Sequence, residues 1–412
     1  MNLKNNVESV LRHIDGLRDF VVKLYRDFIP IKALAPENGG DGEWNRAEYF
    51  LSLVRQYFDD VRIIEAPDPR VTRGSRPNIV ALIKGIDPTR TYWVIAHLDT
   101  VPEGDKSLWK YDPYQATVLG DEVYGRGVED DGQGLVMAVS VGKVLRELSV
   151  KPPINYGIIL AADEEVGSKY GIRYILDKEP SLITSKDLVL VPDAGNSEGT
   201  MIEIAEKGIL WIRVTLYGRQ AHASLPEHGL NAYRLGAELT LEIDRRLHEL
   251  FNYEDTMFVP PRSTFEPTRV EANVGNINTI PGKHTFYIDC RILPKYSIDD
   301  ILKAIKDTAN NYCEAHGCKV EIDVVSREDP APPTNPDSEI VKKLSDAIRL
   351  VKGLEAKPLG IGGGTYARYL RLRNIPAAVW MTSHETAHAP DEHVNIKDVL
   401  NDIKVVLASL LL

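Results

Sequence analysis

The sequence predicts a discontinuous α/β domain, a mixed and mostly parallel sheet flanked by helices, interrupted by a smaller α+β insertion. Three observations predict it. Short apolar strands alternate with helical stretches over residues 78–191, the rhythm of a mostly parallel sheet covered on both faces. Beyond Gly199 the order becomes β-α-β-β-α-β, that of a ferredoxin-like layer. Pro330-Ala331-Pro332-Pro333 then reads as a return linker, after which α/β character resumes. The boundaries are 1–203 and 329–412 for the discontinuous domain and 204–328 for the insertion.

The elements follow in order. Residues 1–60 read as helical, with Val7, Leu11, Ile14, Leu17, Val21 and Leu24 on one face at a 3.6-residue period and 50–58 continuing the pattern. Strands are expected at 78–83, 92–96, 154–162 and 188–191, with helices over 135–148 and 170–176 between them. In the insertion, strands are expected at 209–216, 269–276, 284–293 and 319–325. Helices are expected over 230–250 and from Ser297, whose spacing to Asp300 resembles a capping box. A helix over 339–350, a strand at 377–380 and a closing helix over 396–411 complete the chain.

Composition narrows the function. The 412 residues carry 49 Lys+Arg against 60 Asp+Glu, a net charge of -11. Such a surface repels polyphosphate, so neither nucleic acid nor an anionic membrane is an expected partner. No apolar run approaches the ~20 residues that span a bilayer, and the opening Met-Asn-Leu-Lys has no leader-like pattern. Three cysteines are too few and too close together for a disulfide framework. The expectation is a soluble cytoplasmic protein.

Three apolar strands end in potential metal ligands. Tyr92-Trp93-Val94-Ile95-Ala96 runs into His97-Leu98-Asp99, Ile158-Ile159-Leu160-Ala161-Ala162 into Asp163-Glu164-Glu165, and Leu188-Val189-Leu190-Val191 into Pro192-Asp193. Parallel strands deliver their C-terminal ends to one edge of the sheet, where ligands bind. Carboxylates gathered there repel one another, and a divalent cation neutralises them. Mixed imidazole and carboxylate donors suit zinc, with cobalt or manganese as alternatives. Each piece alone has an ordinary explanation: a capped turn for His97-Leu98-Asp99, a solvated helix start for Asp163-Glu164-Glu165, a polar turn for the segment Gly125 to Asp131. Their combination on successive strand ends does not.

These motifs, His97-Leu98-Asp99-Thr100-Val101-Pro102, Gly125-Arg126-Gly127-x-x-Asp130, Asp163-Glu164-Glu165-x-Gly167, Asp193 and His388-Ala389-Pro390-Asp391-Glu392, resemble those of the co-catalytic dizinc exopeptidase and deacylase family. Its members include aminoacylase, carnosinase, bacterial dipeptidases, glutamate carboxypeptidase, acetylornithine deacetylase and succinyl-diaminopimelate desuccinylase. The resemblance implies a zinc-exopeptidase-like catalytic domain with an inserted lid, and two divalent ions per subunit, zinc or else cobalt or manganese. It places His97 and Asp193 on one ion, Glu165 and His388 on the other, and Asp130 between them, followed by a cis Asp130–Asp131 peptide. It makes Glu164 the general base acting on a water held by both metals, and Asp99 the hydrogen-bond partner that orients His97.

In the insertion, Gln220-Ala221-His222-Ala223-Ser224 resembles the family segment whose histidine donates to the developing oxyanion, across a dimer interface in dimeric members. Its ordinary reading is a surface loop. Arg291 is placed like the arginine that binds a substrate carboxylate, Asn273 like its amide companion, and Gly363, Gly364 and Thr365 like a turn whose backbone approaches substrate. For that turn a plain strand-to-helix connection is an equal alternative. Tyr366 and Ala367 stand where the desuccinylase branch has Ser and Asp. The implied activity is hydrolysis of an amide beside a free carboxylate, of dipeptidase or carboxypeptidase type. The alternative is an N-acyl-amino-acid deacylase. The implied partners are a small amino-acid or peptide substrate and a second copy of the chain, joined through the lid. An acyl-side acid for a free amine could come from Glu129 or Asp131. His228, His284, His384 and His393 are expected to be surface or structural, and Cys313-x-x-x-x-Cys318 lacks the paired spacing of a zinc site.

Overall fold

The computed structural model describes residues 3–412, with side chains from Glu8 onward. Met1 and Asn2, and the side chain of Val7 on the expected first apolar face, lie outside the described residues. In chain order the elements are α1 (Leu3–Ile14), α2 (Arg18–Phe28), α3 (Trp44–Tyr57), β1 (Asp60–Pro67), β2 (Ser75–Ile83), β3 (Asp87–His97), β4 (Thr117–Leu119), β5 (Glu122–Tyr124), α4 (Gly132–Glu147), β6 (Ile154–Ala161), α5 (Ile172–Lys178), β7 (Leu188–Asn196), β8 (Met201–Glu206), β9 (Gly208–Tyr217), β10 (Ala221–His222), α6 (Ala232–Leu250), β11 (Thr264–Val270), β12 (Thr279–Ile280), β13 (Lys283–Ile292), α7 (Ile298–His316), β14 (Lys319–Glu328), α8 (Glu339–Lys352), β15 (Lys357–Ile361), α9 (Ala367–Arg371), β16 (Ala377–Thr382), β17 (His393–Asn395) and α10 (Ile396–Leu411). They form two compact units. The first comprises residues up to Ile204, Pro333–Leu359 and Thr365–Leu412; the second comprises Ala205–Pro332 and Gly360–Gly364. Among the described residues, no helix is long and apolar enough to cross a membrane.

The first unit is built on a sheet of order β1-β2-β6-β3-β7-β16-β8-β15. Its four central strands, β6, β3, β7 and β16, are parallel, while β1, β2 and β8 pair antiparallel. Strands buried on both faces read as unbroken apolar runs, and Tyr92 to Ala96 are all at most 1% exposed. At ~1.5–3 kcal/mol for each large apolar side chain removed from water, such runs outweigh any local preference. The apolar stripe of α1, read from Val10, Leu11 and Ile14, is buried as its period requires.

The second unit is a four-stranded antiparallel sheet of order β11-β13-β9-β14, with α6 and α7 supplying its apolar layer. Ser297 caps α7 by accepting the Asp300 N–H at 3.1 Å, and Gly317 ends the helix at φ +68. The expected strand over 269–276 lies instead at Thr264–Val270, with a register shift between Pro267 and Arg269. A proline cannot donate to the ladder, and β11 is the edge strand of its sheet, where Pro267 is tolerated. The cysteine reading is corrected too. Cys313 and Cys318 form a disulfide across the end of α7, and Cys290 is buried and free.

Candidate metal centre

His97 is the last residue of β3, Glu164 and Glu165 follow β6, Asp193 lies in β7, and Asp130 precedes α4. Parallel pairing of β6, β3 and β7 carries the first four to one edge of the sheet. Asp130 has one carboxylate oxygen 2.8 Å from His97 Nε2 and the other 2.9 Å from His388 Nε2. His388 Nε2 is also 3.2 Å from a Glu165 oxygen, and His97 Nε2 is 3.8 Å from Asp193. Potential ligand atoms of His97, Asp130 and Glu165 lie within 4.8 Å of one another, and so do those of His97, Glu164 and Asp193. His97 is buried, whereas the His388 side chain is 55% exposed, so the cluster has one solvent-facing member.

Local backbone explains the convergence. The Asp130–Asp131 peptide is cis. Asp131 then caps α4 through Gly134 N at 3.0 Å, and its other oxygen accepts His97 N at 3.0 Å. Gly127 adopts φ +78, and a Cβ there would lie 2.4 Å from Thr100 Cγ2, so only glycine fits this turn. Asp163 sits at φ +69, a region Asp tolerates, and its Oδ2 accepts Tyr170 N at 2.9 Å. Asp99 sends its two oxygens to the backbone N–H groups of Glu164 and Glu165, at 3.0 and 3.1 Å. His97 Nδ1 is 3.0 Å from the Asp99 backbone carbonyl and 3.5 Å from its carboxylate. Asp99 therefore orients His97 mainly through its main chain, while its carboxylate holds the turn bearing the two glutamates.

Electrostatics shows strain between these groups. Burial, and then the nearby Asp193, push Glu164 well above the usual carboxylate range. Burial and Asp130 raise Glu165 to about 7, against the pull of His388. Burial opposes ionisation of Asp130, but hydrogen bonds from His388 and His97 outweigh it and hold its carboxyl low. Hydrogen bonds to Asp130 and then Glu165 raise His388 to about 10. Glu165 Oε1 is buried without a hydrogen-bond partner among the described residues. Two imidazoles, several crowded carboxylates and an unpartnered buried oxygen are what divalent cations would satisfy, so the donor set fits zinc, cobalt or manganese.

Several neighbouring residues are engaged by the protein itself. Of the two residues read as acids for a free amine, Glu129 has four protein donors and Asp131 has two, one on each oxygen. Glu129 accepts from Ser383, His384 and Thr386, and Asp131 from His97 and Gly134. Tyr366 is buried and donates to the Ala162 carbonyl at 2.7 Å, bracing the end of β6. Thr365 belongs to the first unit and is buried.

In the second unit, His222 is exposed, with Nδ1 2.7 Å from Ser224 Oγ. Arg291 binds Asp289 through Nε and Nη2 at 2.7 and 3.0 Å, and Nη1 donates to Gly362 O at 3.1 Å. The Gly-rich turn, with Gly363 and Gly364, thus shares its unit with Arg291. Asn273 is exposed, its Oδ1 3.3 Å from His284 Nδ1. His284 is buried in its unit, His384 pairs with Asp398 at 3.1 Å, and His393 Nδ1 lies 3.0 Å from Asp391 O.

Sequence reasoning missed a buried ion cluster beside the centre. Arg76 binds Glu43 through Nε at 2.6 Å and has Asp68 and Asp163 at 3.5 and 3.4 Å. No local spacing links these residues, so no pattern could have signalled it.

The profile of peptidase family M20/M25/M40 matches residues 93–412. An uncharacterized metallohydrolase of Methanocaldococcus jannaschii is 38% identical over 400 residues, covering 93% of this chain and 97% of that protein. A succinyl-diaminopimelate desuccinylase of a Sulfurovum species is 27% identical over 307 residues, covering 74% of this chain and 78% of that one. Human carnosine dipeptidase 1 superposes with a TM-score of 0.74 at 18% identity, covering 98% of each chain.

Proposed function

Because the chain belongs to peptidase family M20/M25/M40 and is a metallohydrolase acting on C–N bonds, we propose that it hydrolyses an amide beside a free carboxylate, as a dipeptidase or carboxypeptidase. The observation that carries this reading is Asp130 facing two imidazoles while Glu165, Glu164 and Asp193 crowd the same edge. In this reading His97 and Asp193 would hold one ion and Glu165 and His388 the other, with Asp130 available to both; the bound cations would acidify a water and polarise the scissile carbonyl. Glu164 accepts a proton from the attacking water and returns it to the leaving nitrogen. A carboxyl biased upward by burial and Asp193 is suited to giving the proton back.

Arg291 anchors the substrate carboxylate. Three of its five N–H groups are taken by Asp289 and Gly362, and two remain to bind it. His222, exposed on β10, supplies an oxyanion donor to a second copy in a homodimer joined through the second unit. Zinc is the resident metal in this reading.

One observation favours a second reading, an N-acyl-amino-acid deacylase. Both acids read from the sequence as partners for a free amine already serve the fold: Glu129 is buried with four protein donors, and Asp131 is buried, capping α4 and binding His97 N. The Sulfurovum relative, named as a desuccinylase, points the same way. A matched panel decides between them: free dipeptides beside N-acetyl and N-succinyl amino acids, with zinc- or cobalt-loaded protein and Glu164→Ala as blank. Preference for dipeptides supports the peptidase, and preference for acylated amino acids the deacylase. Turnover of neither class, or turnover retained in Glu164→Ala, refutes the proposed chemistry.

A further inference from the structure

Two loops of the first unit, the turn before α4 and the segment after β16, place Asp130 and His388 against each other, and each loop holds the other through a buried glutamate. Glu392, four residues after His388, is fully buried. Its Oε1 accepts the backbone N–H of Glu129 at 2.9 Å and of Asp130 at 3.0 Å. Its Oε2 accepts Gly127 N at 2.9 Å and Arg126 Nη1 at 2.6 Å. In return Glu129, also fully buried, accepts His384 N at 2.5 Å and Ser383 Oγ at 2.9 Å on one oxygen. Its other oxygen accepts Thr386 N at 2.6 Å and Thr386 Oγ1 at 2.7 Å. Thr386 O in turn accepts Ala389 N at 3.1 Å, which closes the turn carrying His388.

We propose that Glu129 and Glu392 are positioning residues: a reciprocal clamp that sets the His388–Asp130 spacing and so assembles the ion site built on His388, Glu165 and Asp130. Two arguments carry it. His388 is half-exposed on a loop with φ +62, so little packing defines its place; the β17–β5 ladder and the Gly125 N to Glu392 O bond bring the two segments together, and the clamp adds the side-chain bonds nearest His388 and Asp130. The chemistry also demands carboxylates. Each glutamate meets four donors, and only an acceptor-only group with two oxygens satisfies four donors without presenting an N–H of its own. Glu392 is balanced by the buried Arg126 guanidinium at 2.6 Å, and Glu129 by its four donors, so both carboxylates can stay buried beside a carboxylate-rich edge. The clamp rests on the paired-ion reading given above.

The test is binding rather than turnover. Metal-free wild type, Glu392→Gln, Ser383→Ala and His388→Ala are titrated with Co2+ by calorimetry and visible absorption. His388→Ala identifies the binding event that depends on His388. In Glu392→Gln that event should weaken about 10–100-fold, the usual effect of removing a partner that orients a ligand, while the other, which shares Asp130 but not His388, weakens by a clearly smaller factor. Ser383→Ala removes a single donor to Glu129 and should weaken the same event by a smaller factor. It carries the test if Glu392→Gln does not fold. Rescue of the lost event by Glu392→Asp is not expected, because the shortened side chain cannot span the same donors. Wild-type affinity for both ions in Glu392→Gln and Ser383→Ala overturns the clamp. So does equal loss of both events with a lowered melting temperature, which marks a merely structural role. A wild type that takes up a single ion refutes the paired-ion reading itself, and the clamp with it.

Discussion

Replacing Asp99 by Asn tests how the centre is held together without altering any residue proposed to bind an ion. In the structure its two carboxylate oxygens accept the N–H groups of Glu164 and Glu165 at 3.0 and 3.1 Å. The amide keeps one acceptor and turns the other into a donor, so one glutamate N–H loses its partner and faces an NH2 group. A hydrogen bond to a charged acceptor contributes about 1.5–3 kcal/mol, which at 1.4 kcal/mol per factor of ten is about 10–150-fold. Because the turn bears both the proposed base and a proposed ligand, that loss should fall on kcat/KM with the protein saturated in zinc. The side chain of His97 keeps its main-chain bond to Asp99, so its neighbourhood should change little. The assay is kcat/KM on the best substrate of the panel, with zinc content measured on the same sample and folding checked by circular dichroism. Zinc-saturated, folded Asp99→Asn with activity within threefold of wild type would refute the argument that Asp99 fixes the glutamate turn.

Arg291→Ala should raise KM far more than it lowers kcat, costing about 2–4 kcal/mol in kcat/KM on substrates with a free carboxylate; equal loss on a substrate amidated at that carboxylate would exclude the anchoring role. Glu43→Gln removes the charge closest to the fully buried Arg76 and turns one of its two acceptor oxygens into an NH2 donor, and should destabilise the protein by about 3–5 kcal/mol, read from thermal and urea unfolding. A loss below 1 kcal/mol would mean that Asp68 and Asp163 already balance Arg76. Lys207 is held down at about 8 by burial and then by Arg262 and Arg291. The unfolded chain keeps its proton to about 10.4, so between pH 8 and that value the unfolded state binds more protons and stability rises with pH. The melting temperature of wild type relative to Lys207→Met should therefore increase across that window, and a flat difference would contradict the shift.

What the sequence made legible was whatever repeats locally. Apolar runs such as Tyr92 to Ala96 announced central strands, and the ionisable residues directly after them announced the candidate centre, because strand direction alone carries strand ends to one edge. Elements whose stability comes from distant partners stayed hidden. In β8, Glu203 is fully buried inside a strand, where Arg371, distant in the chain, binds it at 2.8 Å. Edge strand β1 alternates exposed and half-buried positions as far as Ile63 and buries only Ile64 and Ala66, too short an apolar pattern to stand out from its polar surroundings. Glu129 and Glu392 each sit in polar turns, and their donors lie more than 250 residues away in the chain. The same distance hid the commitment of Glu129 to protein donors, so that it read as a free acid. The Cys313–Cys318 disulfide was missed for a different reason: three cysteines gave no framework, yet the end of α7 brings two of them together.

The proposed chemistry requires two cations that share Asp130. Anomalous diffraction at the zinc absorption edge from crystals of zinc-loaded protein tests this most directly. The prediction is two peaks on the sheet edge, one against His97 and Asp193, the other against Glu165 and His388, with Asp130 touching both. A single peak, or two that leave His388 and Glu165 without metal, would contradict it.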